Sequence, residues 1–220
     1  MIVYDFVEVG TCCFDTLIEK ANDNTIGLSI EPLKTYQDML PDKPNVHKVN
    51  VAFVADEDFG EGSIDFYHIP MKVIKEERLG EWLKGCNTVG KPHDFHTNYY
   101  HSPPEWHSTA DKTKLKTYNL LDLGLVTVDN VKCMTFTNLV DEYKIGYIKY
   151  LKIDTEGYDC KIVNAVLDYF GDKENCPDEI FYESNSHSNP KEIALLSRRL
   201  QLLGYKLIIT QFDTLAKKKP

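Results

Sequence analysis

The 220-residue chain carries a net charge of −9 and 42% hydrophobic residues. That composition supports one α/β domain with a sizeable core, or such a domain with an insertion, and sets disorder aside. The acidic balance argues against a nucleic-acid groove, which needs clustered Lys and Arg, and no apolar run approaches the length of a membrane span. No signal peptide precedes the first predicted strand. The six cysteines are scattered without a CxxC pair. They describe neither a zinc knuckle nor a disulfide framework and fit a reducing, cytoplasmic setting.

In chain order, strand one is predicted over Tyr4–Val9 and ends in Glu8-Val9-Gly10. Thr11 is the expected cap of a helix whose Phe14, Leu17, Ile18 and Ala21 share one face. Strand two is predicted over Thr25–Ile30 and closes on Glu31-Pro32. A short helix marked by Leu33, Tyr36 and Leu40 stops at Pro41, and strand three follows over Val46–Val54. From Ala55 to about Val131 the rhythm breaks. The segment holds a β-stretch (Ser63–Ile69), a helix near Lys75–Leu83 and the run CNTVGKPHDFHTNYYHSPPEWH, expected to be irregular. It is too long for an ordinary connection and reads as a functional cap inserted at 55–131.

Alternation resumes with a helix over Thr137–Tyr143 and strand four over Tyr147–Asp154. The next helix buries Ile162, Val163, Val166, Leu167 and Phe170, and Glu179–Glu183 is strand five. Asn189-Pro190-Lys191-Glu192 supplies an N-cap, a proline at N1 and an acid at N3 for a helix that stops at Gly204. Tyr205–Thr210 is a further strand, and the tail Leu215–Pro220 reads as solvated and frayed. Both ends would suit a domain cut from a longer polypeptide. The fold class is therefore α/β, a mostly parallel sheet with helices on both faces.

Ligands of such sheets sit outside the carboxyl ends of the strands. Those ends carry Glu8 and Gly10, Glu31, Asn50, Asp154 and Glu156, and Glu183 and Asn185 on five consecutive strands. Each alone has an ordinary explanation as a cap or a solvated loop residue; together they mark a binding edge. Glu31 follows Glu8 by 23 residues, close to the spacing at which an acid meets a ribose diol. Cys12 and Phe14 fill positions where a pyrophosphate loop keeps glycine, so a ligand with ribose but no pyrophosphate fits better. S-adenosyl-L-methionine is the common one. Glu8, Gly10, Thr11 and Cys12 are expected at its amino-acid end, Glu31 and Pro32 at its ribose, and Asn50 and Val51 at its adenine.

The stretches VEVGTCCFDT, GLSIEP, VNVAF and YLKIDTEGYDCKIV, in this order, resemble the FkbM-type S-adenosylmethionine-dependent methyltransferases. LKIDTEG is the most specific piece, and the likeness covers roughly residues 1–54 and 131–213. The resemblance implies a Rossmann-like methyltransferase fold and O-methylation of a hydroxyl, on a sugar or a polyketide-type product. The chain departs from the family pattern in having no extension before the first motif.

Methyl transfer to an alcohol needs alignment, exclusion of water and a base or metal. Asp154 leads as base, with Glu156 two residues on. Asp154, Glu183 and Asn185 offer hard oxygens that suit Mg²⁺ or another divalent cation; the alternative is a metal-free site with water. In the cap, Asn87, His93, Tyr99, Tyr100 and Trp106 are candidate contacts for a carbohydrate, together with Asn185 at the end of strand five, and His93 also as general base. The ordinary reading of these histidines is loop residues stacking on aromatic rings. Cys12 and Cys13 read as small buried apolar residues. A phenolic or polyketide-type acceptor, or a non-catalytic adenosyl-ligand module of a larger polypeptide, are the competing readings.

Overall fold

The computed structural model describes residues 1–12, 15–100, 117–171, 174–185 and 188–218. They form two compact units, residues 1–64 with 131–220 and residues 65–130. The second unit lies where the insertion at 55–131 was expected.

In the first unit, runs rich in β-branched and aromatic residues form seven strands. They are β1 (Ile2–Val9), β2 (Gly27–Ile30), β3 (Val46–Val49), β4 (Ile145–Ile153), β5 (Glu179–Glu183), β6 (Tyr205–Ile209) and β7 (Asp213–Lys218). Their order across the sheet is 3-2-1-4-5-7-6. Neighbours from β3 through β5 are parallel, whereas β7 runs antiparallel between β5 and β6. This is an α/β fold with a mixed, mostly parallel sheet, compatible with a Rossmann-like fold, and the strand order reverses between β1 and β4.

The helices are α1 (Leu17–Lys20), α2 (Lys34–Gln37), α3 (Phe136–Tyr143), α4 (Asp159–Phe170) and α5 (Pro190–Leu202). Thr135 caps α3 by accepting from the Asn138 amide, and Asn138 accepts from the Thr135 amide in return. Asn189 accepts from the Lys191 amide at 3.0 Å, with Pro190 opening α5, so the predicted cap is borne out. The larger core joins Val7 and Val9 of β1 and Ile148, Leu151 and Ile153 of β4 to the apolar stripes of α4 and α5. A smaller core holds Phe6, Ile18, Ala21, Leu40 and Val46. Each aliphatic side chain buried this way contributes about 1.5–3 kcal/mol over leaving it in water.

Three expectations for this unit need correction. The first helix starts at Leu17 rather than after Thr11. Thr16 precedes it, and Glu19 accepts from the Thr16 amide and hydroxyl; Phe14 lies outside the described residues. Strand three ends at Val49, because Asn50 turns back to donate to the Glu31 and Pro32 carbonyls, both at 2.9 Å. Ala52–Phe53 then pairs with Cys133–Met134, part of a strand over Thr127–Met134 that the sequence pattern did not reveal. The supposed frayed tail is strand β7 as far as Lys218, with Thr214 and Ala216 buried.

The second unit has antiparallel pairing of Phe66 with Val89 and Tyr67 with Thr88, and a core of Ile69, Ile74, Leu83, Cys86, Tyr99 and Leu120. The helix expected near 75–83 instead spans Met71–Glu76 and ends where Arg78 takes a left-handed φ of 53°. The histidine-rich run is not wholly irregular, since Asp94–Thr97 is a turn of helix.

At the reversal point the Asp154 amide donates to the Val9 carbonyl at 3.0 Å. A Cβ on Gly10 would lie 1.8 Å from the Asp154 carbonyl oxygen, and Gly10 has φ +78°. Gly10→Ala therefore meets both a backbone clash and an unfavourable dihedral. A loss of at least ~2 kcal/mol in urea-unfolding free energy is expected; a change within experimental error would contradict this contact.

Candidate functional site

The turn after β1 is fastened to β2 by Glu31. This carboxylate, 3% exposed, accepts from the Cys12 amide at 2.8 Å and the Leu33 amide at 2.9 Å, with the Thr11 hydroxyl more distant at 3.5 Å. Burial raises its pKa to about 7, against the opposing pull of these donors. A carboxylate has about four acceptor positions, so the site has capacity beyond its present partners. Reaching it requires the long Thr11 contact to yield. The Gly10 amide already donates to the Ile30 carbonyl at 3.0 Å, so it belongs to the sheet ladder.

Glu8 occupies a different position from the one its sequence suggests. It is fully buried, and both oxygens have protein partners, the Leu17 amide at 2.9 Å and the Lys152 ammonium at 3.0 Å. Burial raises its pKa and Lys152 opposes the rise. Glu8 thus shapes the turn from beneath instead of lining its mouth. Pro32 and Asn50 join the ends of β2 and β3 through the Asn50 amide, and Val51 beside them is buried.

At the ends of β4 and β5 acids crowd together. Carboxylate oxygens of Asp154, Glu156 and Glu183 lie within 4.8 Å of one another. The register sets Glu183 directly opposite Asp213 of β7, so two acids share that end of the ladder. Asp159, at the start of α4, accepts from the Thr155 amide (3.2 Å) and hydroxyl (2.8 Å) and from the Glu183 amide (3.0 Å). It ties the turn after β4 to β5. Glu156 in that turn is left-handed at φ 53° and Gly157 follows at 93°, which explains the glycine.

Burial, together with Asp159, Glu156 and Asp213, raises Asp154 to about 7, while Lys152 pulls the other way. Burial and the four neighbouring acids raise Glu183 to about 9. Among the described residues Glu183 Oε2 is buried without a hydrogen-bond partner, and the Asn185 side-chain amide donates to Oε1. Asn185 therefore presents its nitrogen to Glu183, and the acids whose oxygens come together here are Asp154, Glu156 and Glu183. These three acids fit a divalent cation by charge and donor type.

The second-unit candidates have defined structural roles. His93 Nδ1 accepts from the Phe95 amide at 3.0 Å and caps the Asp94–Thr97 turn. That bond occupies Nδ1 in the turn, so His93 has a structural role as a cap. His96 Nδ1 accepts from the His93 amide, and burial with His93 nearby lowers its pKa to about 4. Asn87 donates to the Lys84 carbonyl at 2.7 Å and closes a turn. Tyr99 is 1% exposed in the core, its hydroxyl accepting from the Gly80 amide, and has no ring face to offer a sugar. Trp106 and the Tyr100 side chain lie outside the described residues.

Sequence reasoning missed Lys152, Asp159 and Asp213. Lys152 precedes Asp154 by two residues and so shares its side of the strand, a signal available from period two alone. No protein-family model, curated protein or solved structure matches the chain.

The raised carboxyls bind protons more tightly in the folded state. Their stabilising contribution is full below their unfolded pKa values near 4 and is lost as pH rises through about 7 for Glu31 and Asp154 and about 9 for Glu183. His96 acts oppositely, but only below its ordinary value of 6.5. Melting temperature should therefore fall from about pH 6.5 to 9, with Glu183→Gln flattening the alkaline part. Millimolar Mg²⁺ at alkaline pH should restore the wild type and not the variant. A melting temperature that rises over this range would contradict the acid row.

Proposed function

We propose that the chain is an S-adenosylmethionine-dependent O-methyltransferase whose acceptor is a sugar hydroxyl. The observation that carries the reading is the joint placement, at the strand-order reversal, of a buried ribose-competent Glu31 and an acid row headed by Asp154. Ligands of open α/β sheets occupy this crevice. The antiparallel β7 between β5 and β6 is also in keeping with the methyltransferase version of the fold that the sequence resemblance implies. A nicotinamide dinucleotide is disfavoured by Cys12, which is buried where a pyrophosphate loop needs open backbone.

When bound, S-adenosylmethionine supplies a methyl group on a sulfonium, a good leaving group. Glu31 takes the ribose hydroxyls. Asp154, held near neutrality, accepts the proton of the acceptor hydroxyl. Glu183, protonated at neutral pH, donates a hydrogen bond to the acceptor or, with Asp154 and Glu156, holds a divalent cation that would lower the hydroxyl's pKa. A row of carboxyls suits the several hydroxyls of a sugar. A phenol would instead want an aromatic slot, and Tyr99 and its neighbours are committed to a core. Among the described residues no helix is long and apolar enough to cross a membrane.

The test is calorimetric titration with S-adenosylhomocysteine, with NAD as control. S-adenosylhomocysteine should bind and NAD should not. Glu31→Gln should weaken binding at least about tenfold, since bonds to a charged group are worth roughly 1.5–3 kcal/mol each. Preferential NAD binding, or an unaffected Glu31→Gln, would overturn the assignment.

A further inference from the structure

We infer that Lys152 is a positioning residue that latches the exit side of the β1 turn in its ligand-ready shape. The inference rests on the reading of that turn as the cofactor site. Among its described residues the turn has three left-handed positions, Gly10 at φ 78°, Cys12 at 44° and Asp15 at 50°. Two of them are not glycine, so the conformation is uphill and needs external support. Glu31 supports the entry side by accepting from Cys12.

The exit side is held by Lys152. Its ammonium donates to the Asp15 carbonyl at 3.0 Å and to Glu8 Oε1 at 3.0 Å, while Glu8 Oε2 takes the Leu17 amide at 2.9 Å. Lys152 and Glu8 are register partners on β4 and β1, with side chains 12% and 0% exposed. The bonded ammonium favours the charged form of this buried carboxylate, against the cost of burial. Lys152 thus fixes Asp15 directly and Leu17 through Glu8, from the strand that also ends in Asp154. The turn that receives the cofactor and the strand that presents the base are joined by one side chain.

Loss of the ammonium has a separable consequence. In Lys152→Met, Glu8 can take a proton and keep its bond to Leu17, so the sheet survives while Asp15 loses its anchor. The experiment compares wild type, Lys152→Met, Lys152→Arg and the double variant Glu8→Gln/Lys152→Met. Amide hydrogen exchange is read without ligand, and S-adenosylhomocysteine affinity by calorimetry. Peptides covering Asp15 to Lys20 should exchange faster in Lys152→Met, with β5 and β6 unchanged. Affinity should drop about tenfold or more and return to within about threefold of wild type in Lys152→Arg, whose guanidinium also reaches two acceptors. Should the single variant not fold, the double variant, which removes the buried charge, should show the same loosened turn. Wild-type exchange and affinity in whichever of the two folds would overturn the latch. Absence of binding by the wild type would sink the cofactor reading, while the exchange comparison would still decide the role of Lys152.

Discussion

Where β1 and β4 leave the sheet, the Asp154 carbonyl comes so close to Gly10 that any side chain there would overlap it. Everything at the candidate site is placed by that approach. It lets the turn after β1 pass over the end of β4, sets Glu31 of β2 against the turn amides on one side, and brings the Asp154 row alongside on the other. The fold reverses its strand order at the same point, and strands on both sides of the reversal end in acids.

The second constraint is electrostatic. Glu8, Glu31 and Asp159 are buried carboxyls within one edge of one sheet, an arrangement that water would oppose strongly. The chain compensates in two ways. Glu8 has a cation and Glu31 and Asp159 have backbone and hydroxyl donors, so all three hold structure. Asp154, Glu156 and Glu183 are set against one another with less compensation, and the proton affinities of Asp154 and Glu183 rise accordingly. Residues that are costly to the fold and not neutralised by it are where chemistry is to be sought.

Much of the central sheet was legible because its strands are apolar runs that end abruptly in an acid or amide. The ends of β1, β2, β4 and β5 were therefore found, and with them Glu31, Asp154, Glu156 and Glu183. Strand β7 was not, because its buried positions are Thr214 and Ala216, small residues next to lysines that resemble a solvated tail. Which threonine precedes α1 turned on Glu19, which serves Thr16 and leaves Thr11 to face Glu31. The capping role of His93 turned on its bond from the Phe95 amide, information that resides in the folded backbone. The joint function of Glu8 and Lys152 needed the register of β1 against β4, which period-two patterning does not supply.

The central claim is that the acid row and the Glu31 turn serve one transfer reaction. It is tested most directly by supplying S-adenosylmethionine labelled in its methyl group with a panel of hexose and deoxyhexose glycosides, for wild type and Asp154→Asn. The account expects label on a sugar oxygen with the wild type, and loss of transfer in Asp154→Asn with its S-adenosylhomocysteine affinity kept. Undiminished transfer by Asp154→Asn, or S-adenosylhomocysteine binding without label reaching any glycoside hydroxyl, would contradict it.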